Sequence, residues 1–227
     1  MCDGAQRCVE TPTASLCDDG NACTIEACSP LVGCVDSPNP CDDGDPCTSN
    51  ECLTACVNTP RVRNDCRTAM SSKLLLKSTA ATDRDKLTWT WTRGQSTSQA
   101  EFADPRTNAS YEFCLFAGVA NATIAAANLP PDPARWQPTS RGFNYRNPTA
   151  DEDGIARLKL VGADTNRSQV NLKGQGALLD ITAPPVALPI RAQLINSQSN
   201  VCWTATYDSA DVRRNDAGKL SAKATGP

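Results

Sequence analysis

The sequence predicts a mainly β protein, a small disulfide-rich repeat array followed by an antiparallel β-sandwich. Three observations carry this. Eleven of the 13 cysteines in the 227-residue chain lie between Cys2 and Cys66. Net charge reverses at the same place, from −7 over residues 1–67 to +4 over residues 68–227. Beyond residue 68, apolar and polar residues alternate in short runs separated by Gly- and Pro-containing turns, the periodicity of half-buried strands. The chain is therefore read as two domains, a Cys-rich acidic region at 1–67 and a sandwich at 68–227.

Composition excludes several chemistries. The chain has no His, which removes Ser-His-Asp and Cys-His nucleophile pairs, His-ligated zinc and haem, and His general bases. A net charge of −3 does not suggest nucleic acid as a partner. Apolar runs such as Leu74-Leu75-Leu76 are too short to span a bilayer. No enzyme activity and no organic cofactor are expected.

The first region contains no aromatic residue and few large aliphatic ones, among them Val9, Leu16, Ile25, Leu53 and Val57. Such a segment cannot offset its chain entropy with an apolar core. Cysteine density then reads as a cystine framework in an oxidising compartment, because the tight C-x2-C pairs of thiolate metal sites are missing. The expected half-cystines are Cys8, Cys17, Cys23, Cys28, Cys34, Cys41, Cys47, Cys52, Cys56 and Cys66, with Cys114 and Cys202 in the second region. The odd count leaves one thiol over; Cys66 is one candidate, and Cys2 is assigned as free or intermolecular.

The cysteines repeat. Cys17-Asp-Asp-Gly-Asn-Ala-Cys23-Thr, Cys28 and Gly33-Cys34-Val-Asp-Ser-Pro are followed by Cys41-Asp-Asp-Gly-Asp-Pro-Cys47-Thr, Cys52 and Cys56-Val-Asn-Thr-Pro. The first three cysteines recur 24 residues apart and the fourth 22. Cys2-x5-Cys8-Val-Glu-Thr-Pro is the second half of an earlier copy, so further chain upstream is expected. Short tandem copies need neighbours or cross-links for stability. The pattern resembles the C-x-D-G-x-x-C-T repeats of slime-mould extracellular-matrix proteins over roughly residues 1–60. It departs where Ala55 replaces Gly and two residues are missing from the second copy. The resemblance implies a surface or matrix location.

The acidic loops admit two readings. Asp18, Asp19, Asn21 and Glu26, then Asp42, Asp43, Asp45 and Glu51, offer oxygens to calcium, a hard cation that takes six to eight of them. The same residues also suit Asx-turns, in which Asp bonds its own backbone and Gly takes left-handed geometry. Calcium is thus a candidate cofactor.

In the second region, Leu87-Thr-Trp89-Thr-Trp91-Thr places Leu and both Trp on one face. Tyr111–Phe116, Ile155–Val161, Val170–Leu172, Ile190–Leu194 and Val201–Tyr207 read as further strands. Turns are expected at Thr92-Arg93-Gly94, Leu129–Pro133, Asp151–Gly154, Lys173–Gly176 and Asp216–Gly218. Cys114 and Cys202, each inside a strand, are expected to bridge, with Trp203 packed against the bridge. The segment from Tyr111 to Trp203 resembles an all-β module found at the ends of secreted proteins of environmental bacteria, which implies export and no catalytic residue.

Possible sites in this region are weak. Glu101 and Glu112 can be drawn as a glycosidase pair, but nothing selects them. Trp136, Phe143 and Tyr145, in a loop-rich stretch, are candidates to stack on sugar rings. Asp151-Glu-Asp-Gly154 reads as a solvated hairpin loop or a cation site. Leu220–Thr225 is a candidate to join a neighbour's sheet edge. The sequence therefore predicts a secreted structural or adhesive surface protein that self-associates, as a homopolymer or filament, with calcium a candidate ligand of its loops. The alternative is a module binding a glycan or cell-surface protein, carried on a disulfide-rich stalk.

Overall fold

The computed structural model describes residues 24–29, 33–38, 41–52 and 55–226. The chain divides into two compact units, Met1–Arg61 and Val62–Pro227. The first holds two antiparallel hairpins, β1 (Thr24–Ser29) with β2 (Gly33–Pro38), and β3 (Thr48–Cys52) with β4 (Cys56–Pro60). Cys28 faces Cys34 across the first hairpin, and Cys52 faces Cys56 across the second. The second copy lacks the extra pair Ser29–Gly33, so its two-residue deletion removes one cross-strand pair and keeps the backbone register of the rest.

The second unit is an antiparallel sandwich. Its strands are β5 (Ala69–Lys77), β6 (Lys86–Gly94), β7 (Tyr111–Ala117), β8 (Ala122–Leu129), β9 (Trp136–Thr139), β10 (Gly142–Arg146), β11 (Ile155–Val161), β12 (Ser168–Gln175), β13 (Ile190–Asn196), β14 (Cys202–Tyr207), β15 (Val212–Asp216) and β16 (Lys219–Ala224). One sheet has eight strands in the order β15-β16-β5-β6-β12-β11-β10-β9; the other has four, β14-β13-β7-β8. The alternations read at Leu87–Thr92, Tyr111–Phe116, Ile155–Val161 and Ile190–Leu194 are strands with their apolar faces turned between the sheets.

All eleven aromatic residues of the chain are buried. Trp89 meets Phe113 across the sheets at 5.6 Å between ring centres, and Trp136 lies between Tyr111 (5.2 Å) and Tyr145 (5.1 Å). A buried indole N–H must keep a partner. Trp91 Nε1 donates to the Thr204 carbonyl (2.9 Å), Trp136 Nε1 to the Pro130 carbonyl (3.3 Å) and Trp203 Nε1 to Thr97 Oγ1 (3.2 Å). Trp89 Nε1 reaches Ser72 Oγ at 3.1 Å and Tyr207 Oη at 3.2 Å. Burial drives the Tyr111 and Tyr207 hydroxyls well above their ordinary range.

Several expectations are corrected. Cys202 bonds to Cys66, not to Cys114, so Cys66 is not the thiol left over. Cys114 is buried and is itself a half-cystine. Trp203 does not pack on the bridge beside it: neighbouring strand residues face opposite ways, and its ring stacks on Phe102 at 5.4 Å. Thr92-Arg93-Gly94 is no turn but the end of β6; Gly94 is required because a Cβ there would lie 1.8 Å from the Trp91 ring. Lys173–Gln175 continues β12, and the turn comes at Gly176. Leu220–Ala224 is β16, paired on both sides by β15 and β5, so it cannot join a neighbour's edge.

The true edges are blunted. β9 carries Pro138, which has no N–H to offer, and β15 has a register irregularity between Val212 and Arg214. β8 accepts a bond from Thr182 N to the Ile124 carbonyl (2.8 Å). β14 is covered by the segment before β5: Arg67 N donates to the Cys202 carbonyl (2.9 Å), and Thr204 N donates to the Arg67 carbonyl (2.8 Å).

That covering segment is sewn on by more than its cystine. The buried Gln193 amide pairs with the Arg63 backbone like a second peptide, Oε1 accepting from Arg63 N at 3.0 Å and Nε2 donating to the Arg63 carbonyl at 2.6 Å. The Arg67 guanidinium binds Glu101, whose other oxygen accepts from Ser98 N at 2.7 Å. The Cys66–Cys202 bridge closes a separation of 136 residues; in a chain-entropy account such a loop is worth about 4–5 kcal/mol.

Gln193→Leu strands both Arg63 backbone groups and should cost about 2–3 kcal/mol in denaturant unfolding; a change within experimental error would show that the amide pair does not hold the segment. Arg67, aided by Ser98, lowers the Glu101 carboxyl from an ordinary 4.5 to about 2. A depressed carboxylate contributes stability above about pH 4.5 and loses it as pH falls towards 2. Glu101→Gln should therefore flatten the fall in melting temperature across that window.

Candidate functional site

Among the described residues, the loop between Cys41 and Cys52 holds four of the acids that the sequence offers to calcium, Asp42, Asp43, Asp45 and Glu51. Asp42 Oδ1 accepts from Gly44 N (2.9 Å) and from Asn50 Nδ2 (3.0 Å). Asp43 Oδ1 accepts from Asp45 N (3.0 Å) and from Thr48 Oγ1 (2.8 Å). Asp45 Oδ1 accepts from Cys47 N (2.8 Å). These are three overlapping Asx-turns, and Gly44 sits at φ +73°, where an L side chain is strained. The bonds from Thr48 and the Asp45 backbone hold the Asp43 carboxyl below its ordinary range.

The geometry explains the motif residue by residue. Each Asp turns the chain once, Gly takes the left-handed position, and the Thr after the cysteine ties the turn to the strand that follows. Thr48 and Asn50 are partners that the sequence reading did not single out; the recurrence of Thr after Cys23 and Cys47 is the signal for the first. Glu51 is exposed in β3, opposite Val57. Asp18, Asp19 and Asn21 lie outside the described residues, as do Cys2, Cys8, Cys17 and Cys23. Glu26 is placed by its backbone in β1, opposite Asp36.

Asp42, Asp43, Asp45 and Glu51 do not converge. Among the described residues, the groups of three metal-type ligand atoms within 4.8 Å of one another are Cys41, Cys52 and Cys56, and Asp65, Cys66 and Cys202. Their sulfurs are spent in disulfides: Cys41 bonds Cys56, Cys66 bonds Cys202, and Cys52 is a half-cystine, as are Cys34 and Cys47. Cys41 and Cys47 are also the only buried residues among those of the first unit whose side chains are described. Sulfur takes the place of an apolar core there.

The candidate sites of the second unit resolve into structural roles. Trp136, Phe143 and Tyr145 are not exposed platforms: they belong to β9 and β10, with their rings in the core. A chain with so few aromatics gains most by burying them, since each removes a large apolar area from water. Glu101 is engaged by Arg67 and Ser98. At the Asp151–Gly154 hairpin the cation is supplied by the protein: the Arg135 guanidinium lies 3.0 Å from both Asp151 and Glu152.

The Dictyostelium (slime mold) repeat family matches residues 16–39 and 40–60, the two full copies of the cystine motif. No curated protein matches the chain, and no solved structure matches it. The family match and the disulfides are consistent with an extracellular structural or surface protein. No helix among the described residues is long and apolar enough to cross a membrane.

Gly44→Ala should lower stability by about 1 kcal/mol, since the position has open space and the penalty is purely conformational. Gly44→Asn should recover part of that, because Asn tolerates left-handed backbone. Equal stability of the two variants by urea unfolding would show that the turn is dispensable.

Proposed function

We propose that the chain is an exported structural or adhesive surface protein built of a cystine-tied repeat array and a β-sandwich. The observation that carries this is the sulfur interior of the first unit, where the buried described positions are Cys41 and Cys47. Such an interior persists only where thiols stay oxidised. The repeat family supports the same compartment. Self-association into filaments belongs to this reading. It would run through faces rather than strand addition, because the edges are occupied, bulged or proline-capped.

The acidic loops act in this proposal as turn-formers that need no cation. The displayed-module alternative survives without ring stacking, since every aromatic side chain is inside.

Intact mass of protein from its natural source, with and without reductant, tests the compartment: a gain of two hydrogens per bridge on reduction is expected, and more than the one thiol per chain that 13 cysteines leave over would overturn it. Negative-stain microscopy of the same material should show ordered fibres; dispersed monomers at high concentration would remove the filament. Chelation should leave the melting temperature unchanged, and a fall of several degrees would establish calcium in the loops instead.

A further inference from the structure

The cations of the second unit are not scattered. All seven lysines of the chain lie in strands of the eight-stranded sheet, and strand register puts every one on its outer face. β5 alternates so that Leu74 and Leu76 are buried while Lys73 and Lys77 are exposed. β16 buries Leu220 and Ala222, leaving Lys219 and Lys223 on the other side. In β6 and β12, Lys86 and Lys173 are exposed beside the buried Leu87 and Leu172. In β11, Lys159 and Arg157 flank the buried Leu158.

Register then aligns like charges across strands. Lys219 is opposite Lys77, and Lys77 is opposite Lys86. Two residues along, Lys173 is opposite Arg157, and Arg157 is opposite Arg146. In the next row Lys223 is opposite Lys73. Strands lie roughly 4.8 Å apart, and residues of one face recur roughly every 6.7 Å along them. Like charges set directly opposite destabilise a sheet. Among the described residues of these eight strands Asp216 is the only acid, and it is held by Arg214 at 2.8 Å. Thr88, Thr90, Asn144 and Asn171 lie between the cations with hydrogen-bonding side chains. Two depressions open on this face, one of about 230 Å³ walled by Arg146, Arg157 and Lys159, the other of about 420 Å³ walled by Lys73, Arg213 and Lys223.

We propose that the outer face of the eight-stranded sheet binds a linear acidic polysaccharide, carboxylated or sulfated, along its rows of cations. A flexible polyanion can follow rows spaced in this way without the shape match a folded partner needs, and it relieves the repulsion that the sheet otherwise sustains. Nucleic acid fits less well, because the face has no aromatic ring on which bases stack. The choice of polysaccharide over other polyanions also rests on the extracellular reading above.

The test is calorimetric titration of the full chain with polygalacturonate and with dextran sulfate, neutral dextran serving as control, at 50 and 200 mM salt. Binding of at least one acidic polymer, none of neutral dextran and at least about a tenfold loss of affinity at the higher salt are expected. Lys77→Thr with Lys86→Thr should weaken binding at least fivefold and reduce the salt slope by roughly two charges. That double variant should melt no lower than the parent, because it removes an opposed like-charge pair and adds good strand formers. Arg106→Ser with Arg167→Ser, exposed arginines in loops outside these strands, should bind as the parent does. No binding of either acidic polymer, an undiminished affinity in the lysine variant, or tighter binding to single-stranded DNA, to anionic vesicles or to a second copy of the chain would each overturn the proposal. More than one free thiol per chain in native material would overturn the extracellular reading alone and leave a positive titration standing.

Discussion

Four indole N–H groups have to find acceptors before their rings can be buried, and the second unit is arranged around that requirement. The acceptors do not all come from strand partners. Pro130 belongs to the connection between β8 and β9, and Thr97 to the connection between β6 and β7. Each loop is therefore tied to the core through the ring it serves. Tyr111 extends the scheme by donating to the Phe102 carbonyl at 2.8 Å, which also accepts from Asn196 Nδ2 at 2.8 Å. Loops that lack regular structure thereby become part of the interior, and the unit gains a single arrangement rather than a merely apolar one.

The first unit meets the same need for an interior by a different route. It has no ring to bury, so among its described residues the cystine sulfurs of Cys41 and Cys47 occupy the buried positions, and Asx-turns fix the chain between them. Turn oxygens satisfied by neighbouring backbone N–H groups need no other donor. Tandem copies tolerate length changes in the hairpins because removing two residues deletes one cross-strand pair and leaves the remaining register unchanged. The acidic character of this region follows from its turn chemistry as much as from any partner.

Charge in the second unit is partitioned by face. Arginines that serve the fold are paired: Arg67 with Glu101, Arg135 with Asp151 and Glu152, Arg106 with Asp104. The lysines are gathered instead on a sheet face whose strands hold a single acid. A folded domain gains nothing in stability from opposed like charges, so this separation of paired from unpaired cations marks the outer sheet face as the part of the unit most open to an external partner. Blunted edges and buried rings leave the cationic sheet face as the main surface feature of the unit.

Composition and periodicity alone determined the fold class. Alternation at Leu87–Thr92 or Ile155–Val161 needs no partner to be read, because a period of two sorts side chains to two faces wherever the strand sits. Cystine dependence was equally legible, since the first region has nothing else to bury. Ala122–Leu129 was not legible as a strand, its small residues giving weak contrast between faces, and Trp136 and Tyr145 read as loop because Pro, Gly and Asn surround them. Which cysteine meets Cys202, which acids converge, whether a Trp lies inside and which strands bring seven lysines to one face depend on pairings between residues far apart in the chain. Only the tertiary structure decides those, because register between strands is set by the packing of the whole core and not by any local run of residues.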